Sequence, residues 1–410
     1  MIFYLVGIKG VGMCSLSSIL VELGHKVIGC DFNNNFFTTS LIKEEVIIEE
    51  INNITINNDY TYVVGNAFKN SEYVKTIKNT CEYYDYPYFI EKFFRMPKIS
   101  ISGTHGKTTT TSFISQLTNK NINILCGDGY GRANREAQYL VLEACEYKNN
   151  FLEYTNKILL INNIELDHPD YFKNIEDVIT SFQKAAVNSQ IVIVNGDDEN
   201  CKKIKHYNLI TFGMNDYNDI KFHYEKNVVT IAFYGNNYSF DIELGLHNIY
   251  NFVASFIICK LIDSDDDYIK NNINNLKLPK RRLEKYIINN TIIYDDYAHH
   301  PTEISSTLSY LKNYYKDKKI IVLFQPHTYS RTKVLLTDFI KSLSIADEVY
   351  ILDVFSSIRE QGEGNLLLEK TNFIKFNNDI LNSINNENVY VFMGAGDINK
   401  LINQVNFIEK

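Results

Sequence analysis

The stretch from Gly103 to Thr111, GTHGKTTTT, constrains this chain more than any other segment. A short strand-like segment, Ile99 to Ser102, precedes it, and a helical pattern from Ser112 to Leu117 follows it. In a unit of strand, glycine loop and helix, the loop N–H groups and the helix N-terminus hold phosphate. The lysine reaches the β- and γ-phosphates, and the hydroxyl after it binds Mg²⁺. The sequence therefore predicts an ATP site, formed by Gly103, Thr104, His105, Gly106, Lys107, Thr108 and Thr109.

This match to the general phosphate-loop motif is incomplete, because Ile101 stands where the first glycine of the motif belongs. The alternative interpretation is a threonine-rich turn between a strand and a helix. That alternative leaves Lys107 without a role, so we favour the nucleotide site.

The length and the net charge limit the classes of protein to which this chain can belong. At 410 residues the chain should form two or three domains. Its net charge of −8 argues against broad electrostatic binding of nucleic acid or an anionic membrane. No stretch approaches the roughly 20 apolar residues of a membrane span, and the apolar start, residues 1–6, has the length of a strand rather than of a signal peptide. The seven scattered cysteines, without a CxxC pair, favour a reducing compartment. We expect a cytoplasmic protein.

The N-terminal segment predicts a dinucleotide-type fold. A strand from Ile2 to Val6 leads into the glycine loop GIKGVGM, residues 7–13, and an amphipathic helix follows to about Leu23. A second strand ends at Asp31, which is about where an NAD-binding acid would lie. However, the third glycine of the fingerprint is replaced by Ser15, and a loop that contains a lysine serves a UDP diphosphate as well as an NAD diphosphate. The type of nucleotide stays open at this point.

From the phosphate loop onward, strands and helices alternate, which predicts a parallel sheet. Strands over 139–142 and 157–164 are followed by Glu143 and His168. Ligands bind beyond the carboxyl ends of such strands, so we expect both side chains near Lys107 and Thr108, where they can place Mg²⁺ beside the γ-phosphate. A histidine that caps a loop at a strand end is the alternative for His168.

Two further groups of residues are candidates for nucleotide and substrate contacts. Asn248 and Asn251 precede an apolar helix over 252–261, where they can bind adenine or cap the helix. Nearer the C-terminus, strands over 291–294, 320–324 and 388–392 end in the motifs DDYAHHP, QPHTYSR and GAGD. Histidines crowd at these predicted strand ends, which favours a shared active site. Lys184 could be a carbamylated metal-bridging lysine, but we expect an ordinary surface residue of a helix.

Taken together, these motifs resemble the Mur ligases of peptidoglycan synthesis, and among them the ligases that join L-alanine to UDP-N-acetylmuramate. The resemblance covers essentially the whole chain, and the motifs follow the family order: GIKGVGM (7–13), GNAF (65–68), SGTHGKTTTT (102–111), LEACEY (142–147), NIELDHPDYF (163–172), HNIYN (247–251), RRLE (281–284), DDYAHHPTE (295–303), FQPHTYSRT (324–332) and MGAGDI (393–398). Cys145 and Thr328 depart from the commonest family pattern and resemble a low-GC, Bacillus-like branch.

The resemblance implies an α/β protein of three domains. These are an N-terminal Rossmann-like domain (1–97) that binds the UDP-sugar, a central P-loop ATPase α/β domain (98–278), and a C-terminal Rossmann-like α/β domain (279–410) that contacts the amino acid and ATP. It also implies roles for single residues. UDP-N-acetylmuramate would be held by Gly7, Gly10, Gly12 and Asp31; Mg²⁺ by Thr108, Glu143 and His168; adenine by Asn248 and Asn251; phosphate and ribose by Arg282 and Asp296; and the alanine end of the site by Tyr297, His299 and Arg331.

The implied reaction is phosphorylation of the lactyl carboxylate by ATP, followed by attack of the L-alanine amine on the acyl phosphate. Lys107, Glu143, His168, His299 and Arg331 are its expected catalytic residues. We expect a monomer or a weak homodimer. The alternatives are a sister enzyme, such as the murein-tripeptide recycling ligase or a folylpolyglutamate-type synthetase, a non-catalytic nucleotide-binding regulator on the same scaffold, and a dehydrogenase.

Overall fold

The structure, a computed structural model, describes residues 1–32, 37–51, 56–355 and 364–405. The chain divides into two compact units. The first unit contains residues 1–166, 171–244 and 248–277, and the second contains residues 167–170, 245–247 and 278–410. The first unit holds two β-sheets and the second unit holds a third.

The first sheet is parallel throughout, with the strand order β3-β2-β1-β4-β5. Its strands are Ile2–Val6 (β1), Lys26–Asp31 (β2), Ile47–Glu50 (β3), Thr61–Val64 (β4) and Glu82–Asp85 (β5), and its helices are Val11–Glu22 (α1), Glu72–Thr80 (α2) and Tyr86–Phe93 (α3). Strands β1 and β4 are apolar and almost fully buried, as in a parallel sheet covered on both faces. The strand order reverses between β1 and β4, and ligands of such sheets bind at this point.

The second sheet has ten strands in the order β15-β14-β13-β12-β11-β10-β6-β9-β7-β8. They are Lys98–Ser102 (β6), Ile122–Leu125 (β7), Gly131–Arg132 (β8), Tyr139–Glu143 (β9), Asn156–Ile161 (β10), Ser189–Asn195 (β11), Leu209–Gly213 (β12), Ile220–Glu225 (β13), Val228–Phe233 (β14) and Asn236–Asp241 (β15). The helices of this part are Lys107–Leu117 (α4), Ile175–Val187 (α5), Leu246–Leu261 (α6) and Asp266–Ile273 (α7).

The prediction of a parallel sheet is correct for the centre of this sheet and wrong at its edges. Strands β13, β14 and β15 form an antiparallel meander, and β8 pairs antiparallel with β7. The meander arises because two-residue turns with positive φ connect its strands, Lys226-Asn227 and Tyr234-Gly235. Alternate residues of β14 are exposed, as expected for antiparallel strands with one face in water.

The third sheet has the order β16-β17-β21-β18-β19-β20 and is parallel except for the hairpin of β16 and β17. Its strands are Glu284–Ile288 (β16), Thr291–Asp296 (β17), Ile320–Phe324 (β18), Glu348–Ile351 (β19), Ile374–Lys375 (β20) and Val389–Met393 (β21). Its helices are Pro301–Tyr314 (α8), Tyr329–Val334 (α9), Leu336–Leu343 (α10), Leu366–Lys370 (α11) and Asp379–Ser383 (α12). Short 3₁₀ helices occur at Phe37–Leu41, Asn66–Phe68, Tyr147–Glu153, Cys201–Lys203 and Ile398–Gln404.

Across the described ranges, every helix is too short or too polar to cross a lipid bilayer.

Candidate active site

The phosphate-loop segment lies between β6, which ends at Ser102, and α4, which begins at Lys107. Gly103 and Gly106 have φ angles of +126° and +81°, a region that side chains other than glycine rarely adopt. At Gly106 a side chain would also collide with Asn251. The loop therefore needs both glycines, and it brings the chain directly into a helix N-terminus, which favours an anion.

The Lys107 ammonium is held over this loop. Nζ donates to the carbonyl oxygens of Gly103 and Thr104, the latter at 3.1 Å, and forms an ion pair with Glu146 at 3.2 Å. Burial lowers the pKa of Lys107, but the nearby carboxylates, Glu146 foremost, outweigh it and raise the pKa overall. Lys107 is thus charged and already positioned at the loop where phosphate would bind. Glu146 was not predicted from the sequence, although it lies in the LEACEY motif.

The loop is braced by the segment that follows β10. The Thr104 N–H donates to the Asn163 carbonyl at 3.1 Å, and the His105 N–H donates to Asn163 Oδ1 at 2.8 Å. The Thr104 hydroxyl accepts from the Glu165 N–H at 2.8 Å. These contacts explain why β10 ends at Ile161 rather than at the predicted residue 164. They also commit the Thr104 and His105 N–H groups to acceptors within the protein.

Glu143 ends β9, and its backbone pairs with Ile101 of β6, so it lies at the same sheet edge as the phosphate loop. Its carboxylate accepts hydrogen bonds from the Gly127 N–H and the Thr108 hydroxyl. Burial raises the pKa of Glu143, and these donors together with Lys107 oppose that rise. The half-buried carboxylate and the hydroxyl beside it offer hard oxygen ligands of the kind that Mg²⁺ prefers. This part of the magnesium prediction is compatible with the geometry.

Asn248 and Asn251 are both buried in α6, which begins at Leu246, six residues earlier than predicted. Asn251 Nδ2 donates to Asn248 Oδ1 at 3.2 Å, and Asn251 Oδ1 lies 3.4 Å from the Thr110 hydroxyl. The two amides thus lie inside the helix rather than at its cap, and they connect it to the phosphate-loop helix. One residue away, Tyr250 donates to Asp197 at 2.7 Å.

The N-terminal glycine loop lies at the edge of the first sheet where the strand order reverses. Gly7 has a φ of +89°, and a side chain there would collide with the ring of Phe68. The carboxylate of Asp31 accepts from the N–H groups of Lys9 and Phe32, at 2.9 Å and 2.8 Å. Asp31 therefore fixes the course of the loop. Gly10 directly precedes α1, and Gly12 lies in the first turn of that helix.

In the second unit, Arg331 and Asp167 form a buried bidentate pair. Arg331 Nε and one terminal nitrogen donate to the two Asp167 oxygens at 2.8 Å and 3.1 Å, and the other terminal nitrogen lies 3.2 Å from His327 Nδ1. Burial raises the pKa of Asp167, but Arg331 outweighs it and holds that pKa well below its usual range. The His168 N–H donates to Asp167 at 2.7 Å, and His168 has a φ of +55°. His168 thus belongs to the second unit, whereas Thr108 and Glu143 belong to the first.

His299 lies in the same network of the second unit. Its Nδ1 is 3.0 Å from the Tyr297 carbonyl and 3.4 Å from Glu303, which also binds Arg282 at 3.1 Å. Burial lowers the pKa of His299 to about 3, and the positive charge of Arg331 acts in the same direction. His299 is therefore neutral at physiological pH.

Asp296 accepts from the Thr307 hydroxyl at 2.7 Å and from the Ala298 N–H at 3.0 Å. Burial raises the pKa of Asp296 to about 6. The guanidinium groups of Arg281 and Arg282 lie 5.0 Å and 5.4 Å from the centre of the Tyr297 ring. The five predicted C-terminal site residues therefore fall in one unit: Arg282, Asp296, Tyr297, His299 and Arg331.

The chain matches three family models that together span most of its length. They are described as Mur ligase family, catalytic domain (residues 2–98), Mur ligase middle domain (residues 128–259) and Mur ligase, glutamate ligase domain (residues 281–396). The chain belongs to the Mur ligase family. Members of this family are ATP-dependent amide ligases.

Solved structures of Mur ligases share the three-domain α/β fold of this Mur ligase. A UDP-N-acetylmuramate-alanine ligase from Thermotoga maritima matches with a TM-score of 0.80 and 21% identity, over 99% of this chain and 98% of that one. A murein peptide ligase from Psychrobacter arcticus matches with a TM-score of 0.74 and 20% identity, over the full length of both chains. The MurF ligase of T. maritima, solved in complex with ADP, matches with a TM-score of 0.64 and 17% identity, over 92% of this chain and 94% of that one.

Proposed function

We propose that this Mur ligase joins L-alanine to the lactyl carboxylate of UDP-N-acetylmuramate and releases ADP and phosphate. The complete series of motifs in family order supports the proposal, and so does the likeness to an alanine-adding ligase along nearly the whole chain. The observation that carries the chemistry is the charged Lys107 at the phosphate loop, next to Glu143 and Thr108.

The first step activates the acid. A carboxylate is a poor electrophile, and transfer of the γ-phosphoryl group from ATP converts it into an acyl phosphate with a good leaving group. In the proposal, Lys107 neutralises charge that builds on the transferred group, and the N-terminus of α4 orients the phosphates. Thr108 and Glu143, with His168 as the third ligand that the resemblance implies, would hold Mg²⁺, whose charge assists the same transfer.

The second step forms the amide. The α-ammonium of alanine must lose a proton before its nitrogen attacks the acyl carbon, and phosphate then leaves. His299 is neutral and Glu303 fixes its orientation, so its ring suits a hydrogen bond to the neutral amine. With a pKa of about 3 it is too weak a base to keep the ammonium proton, which therefore passes to solvent. Arg331 suits the carboxylate of the amino acid, because its guanidinium binds carboxylates in a bidentate manner. In the structure the Asp167 carboxylate already binds the Arg331 guanidinium. The carboxylate of alanine must therefore displace Asp167 or bind beside it.

Charge balance around this network favours a small amino acid. Arg331 is paired with Asp167, and Arg282 with Glu303. The side-chain carboxylate of D-glutamate or diaminopimelate would need a further cation, and both of these arginines are already paired with carboxylates. We therefore propose L-alanine as the preferred substrate, with glycine and L-serine poorer.

The remaining assignments complete the proposal. Gly7, Gly10, Gly12 and Asp31 would hold the UDP-sugar; Asn248 and Asn251 would contact adenine; Arg282 and Asp296 would serve phosphate and ribose. The corresponding domains are 1–97, 98–278 and 279–410. We propose a cytoplasmic location, in which the seven free cysteines remain reduced.

The test is ADP release with UDP-N-acetylmuramate and a panel of acceptors. We expect L-alanine to give the highest kcat/KM, and glycine and L-serine to be lower by roughly tenfold or more, because a single methyl or hydroxyl group changes binding by about 1–3 kcal/mol. Efficient use of D-glutamate or of the murein tripeptide, with alanine inert, would instead identify a sister ligase.

A further inference from the structure

The serine that replaces the third fingerprint glycine makes a contact outside its own sheet. Ser15 lies in α1, is fully buried, and donates through its hydroxyl to the Cys126 carbonyl at 2.6 Å. In a dinucleotide fingerprint the glycine at this position allows close packing of helix and strand. Here the hydroxyl at the same position connects the helix of the glycine loop to the segment that follows β7.

Glycines in and next to β8 allow helix α1 to pack closely against this segment. A side chain at Gly131, in β8, would collide with the Ser15 carbonyl, and a side chain at Gly129 would press on Thr38 and Leu41. The Glu22 carboxylate, at the end of α1, accepts from the N–H of the residue after β8. Helix α1 and the β7–β8 connection are therefore packed without space for a side chain between them.

The same connection holds Glu143. Residues 126–129 form a tight turn, in which the Gly129 N–H donates to the Cys126 carbonyl at 3.4 Å. The N–H of Gly127, the residue after Cys126 in this turn, donates to Glu143 Oε1. A side chain at Gly127 would collide with the Glu143 carboxylate. The Cys126 thiol lies 3.6 Å from the same carboxylate oxygen. One carbonyl and one N–H of a single turn thus connect Ser15 to Glu143.

We propose that Ser15 is a positioning residue for Glu143: its hydrogen bond fixes the turn at residues 126–129, and the Gly127 N–H of that turn orients the carboxylate toward the metal. This inference rests on the proposed function, because it takes Glu143 as a magnesium ligand. Groups that orient a metal ligand commonly change metal affinity by tenfold or more when they are removed. Ser15 acts one contact further away, so its removal should have a smaller effect.

The test compares Ser15→Ala with Ser17→Ala in the full-length protein. Ser17 is equally buried in α1, but its hydroxyl donates to the Cys14 carbonyl within the same helix. The measurement is the Kd of Mn²⁺ for the complex with a non-hydrolysable ATP analogue, determined by electron paramagnetic resonance. We expect Ser15→Ala to raise this Kd roughly three- to tenfold, as expected for the loss of one buried hydrogen bond, and Ser17→Ala to leave it unchanged.

A second variant keeps the test decisive if Ser15→Ala folds poorly. Gly127→Ala should raise the Kd for Mn²⁺ tenfold or more, because the added methyl group displaces the carboxylate. In both variants the KM for UDP-N-acetylmuramate should stay close to that of the wild type, whereas a defect in the glycine loop itself would raise it.

Two failures are distinguishable. If Glu143→Gln binds Mn²⁺ as tightly as the wild type, Glu143 is not a metal ligand, and both this inference and the metal site of the proposed function are wrong. If Glu143→Gln weakens Mn²⁺ binding but Ser15→Ala and Gly127→Ala do not, the metal site stands and the positioning role of Ser15 is overturned.

Discussion

Lys107 and Glu146 form a mutually dependent pair at the phosphate loop. The Glu146 side chain is 3% exposed and that of Lys107 is 16% exposed, so each charge helps to compensate the other. The two loop carbonyls that accept from Nζ fix the ammonium above the glycine loop. ATP would therefore meet a cation that is already oriented, and its phosphate would compete with Glu146 for it.

We predict that Lys107→Ala lowers kcat for ADP release by at least 10²- to 10³-fold, the usual cost of losing one charge-stabilising donor in an active site. The matched control is Lys184→Ala, because Lys184 is an exposed residue of α5 and should tolerate the change. Lys107→Ala removes the cation at 3.2 Å from the buried Glu146, so the double variant with Glu146→Gln should recover part of the thermal stability but not the activity. Turnover close to the wild type in Lys107→Ala would place the ATP site elsewhere.

His299 gives the protein an acid-labile site. Burial lowers its pKa to about 3, whereas an exposed histidine titrates near pH 6.5. Between these values the unfolded chain binds a proton that the folded state does not, so the free energy of unfolding falls as the pH falls. The raised pKa values of Asp295 and Asp296, both about 6, act in the opposite sense below pH 6.

We predict that His299→Gln loses less stability than the wild type on acidification. From pH 6.5 to pH 5 the difference between the two proteins should reach on the order of 2 kcal/mol, from a shift of about 1.5 pH units at 1.36 kcal/mol each. Urea unfolding at both pH values measures it, and the aspartate contributions cancel because both proteins share them. Parallel pH curves would mean that the pKa of His299 is the same in the folded and the unfolded protein.

The sequence predicted most of these residues but not their partners. Lys107, Glu143, His299 and Arg331 were identified because a loop lysine and strand-end polar residues have characteristic sequence positions. Glu146 and Asp167 were missed, because which carboxylate neutralises a given cation depends on pairing across strands and loops. The sequence feature that could have indicated Asp167 is its position directly before His168, in the LDHPD segment.

At the scale of secondary structure, a buried polar ladder fixes the centre of the second sheet. Ser100 in β6 donates to Asn156 in β10 at 2.6 Å, and Asn156 donates to Ser189 in β11 at 3.2 Å. The Ser189 hydroxyl in turn donates to the Ala185 carbonyl of α5. The ladder crosses three neighbouring strands and specifies the pairing of β6, whose C-terminal end carries the phosphate loop.

We predict that Asn156→Ala lowers the free energy of unfolding by about 1–3 kcal/mol, because it leaves the buried Ser100 hydroxyl without its acceptor. Asn208→Ala is the control, since Asn208 is exposed and a surface substitution usually changes stability by less than about 0.5 kcal/mol. Denaturant unfolding of both variants provides the comparison. Equal stabilities would show that the ladder does not contribute to pairing of the strands.

Periodicity predicted the central elements closely. The strands at Ile2–Val6 and Ile320–Phe324 were predicted residue for residue, because fully buried parallel strands are continuous apolar runs bounded by polar segments. The antiparallel hairpins were missed, because two of their turns, Lys226-Asn227 and Asn289-Asn290, adopt positive φ without glycine. Asparagine-rich composition hides these turns, since the same residue is common throughout the chain.

Considered as a whole, the molecule combines three α/β sheets that match the three domains of the Mur ligase family, whose members are ATP-dependent amide ligases. The fold follows from sequence because each sheet has its own apolar pattern and glycine loop. The fold does not determine the acceptor substrate, because an alanine ligase and a murein peptide ligase both share this fold with the chain at about 20% identity. In the proposed function, the acceptor is selected by a few charges around Arg331 and His299.

In the proposed reaction, this Mur ligase activates the sugar carboxylate by direct phosphorylation. The most direct test uses UDP-N-acetylmuramate labelled with ¹⁸O in both carboxylate oxygens, with ATP and L-alanine, and mass analysis of the products. An acyl phosphate intermediate predicts one ¹⁸O atom in each inorganic phosphate released and one in the new amide. Amide formation with unlabelled phosphate, or with ¹⁸O in AMP, would exclude an acyl phosphate intermediate.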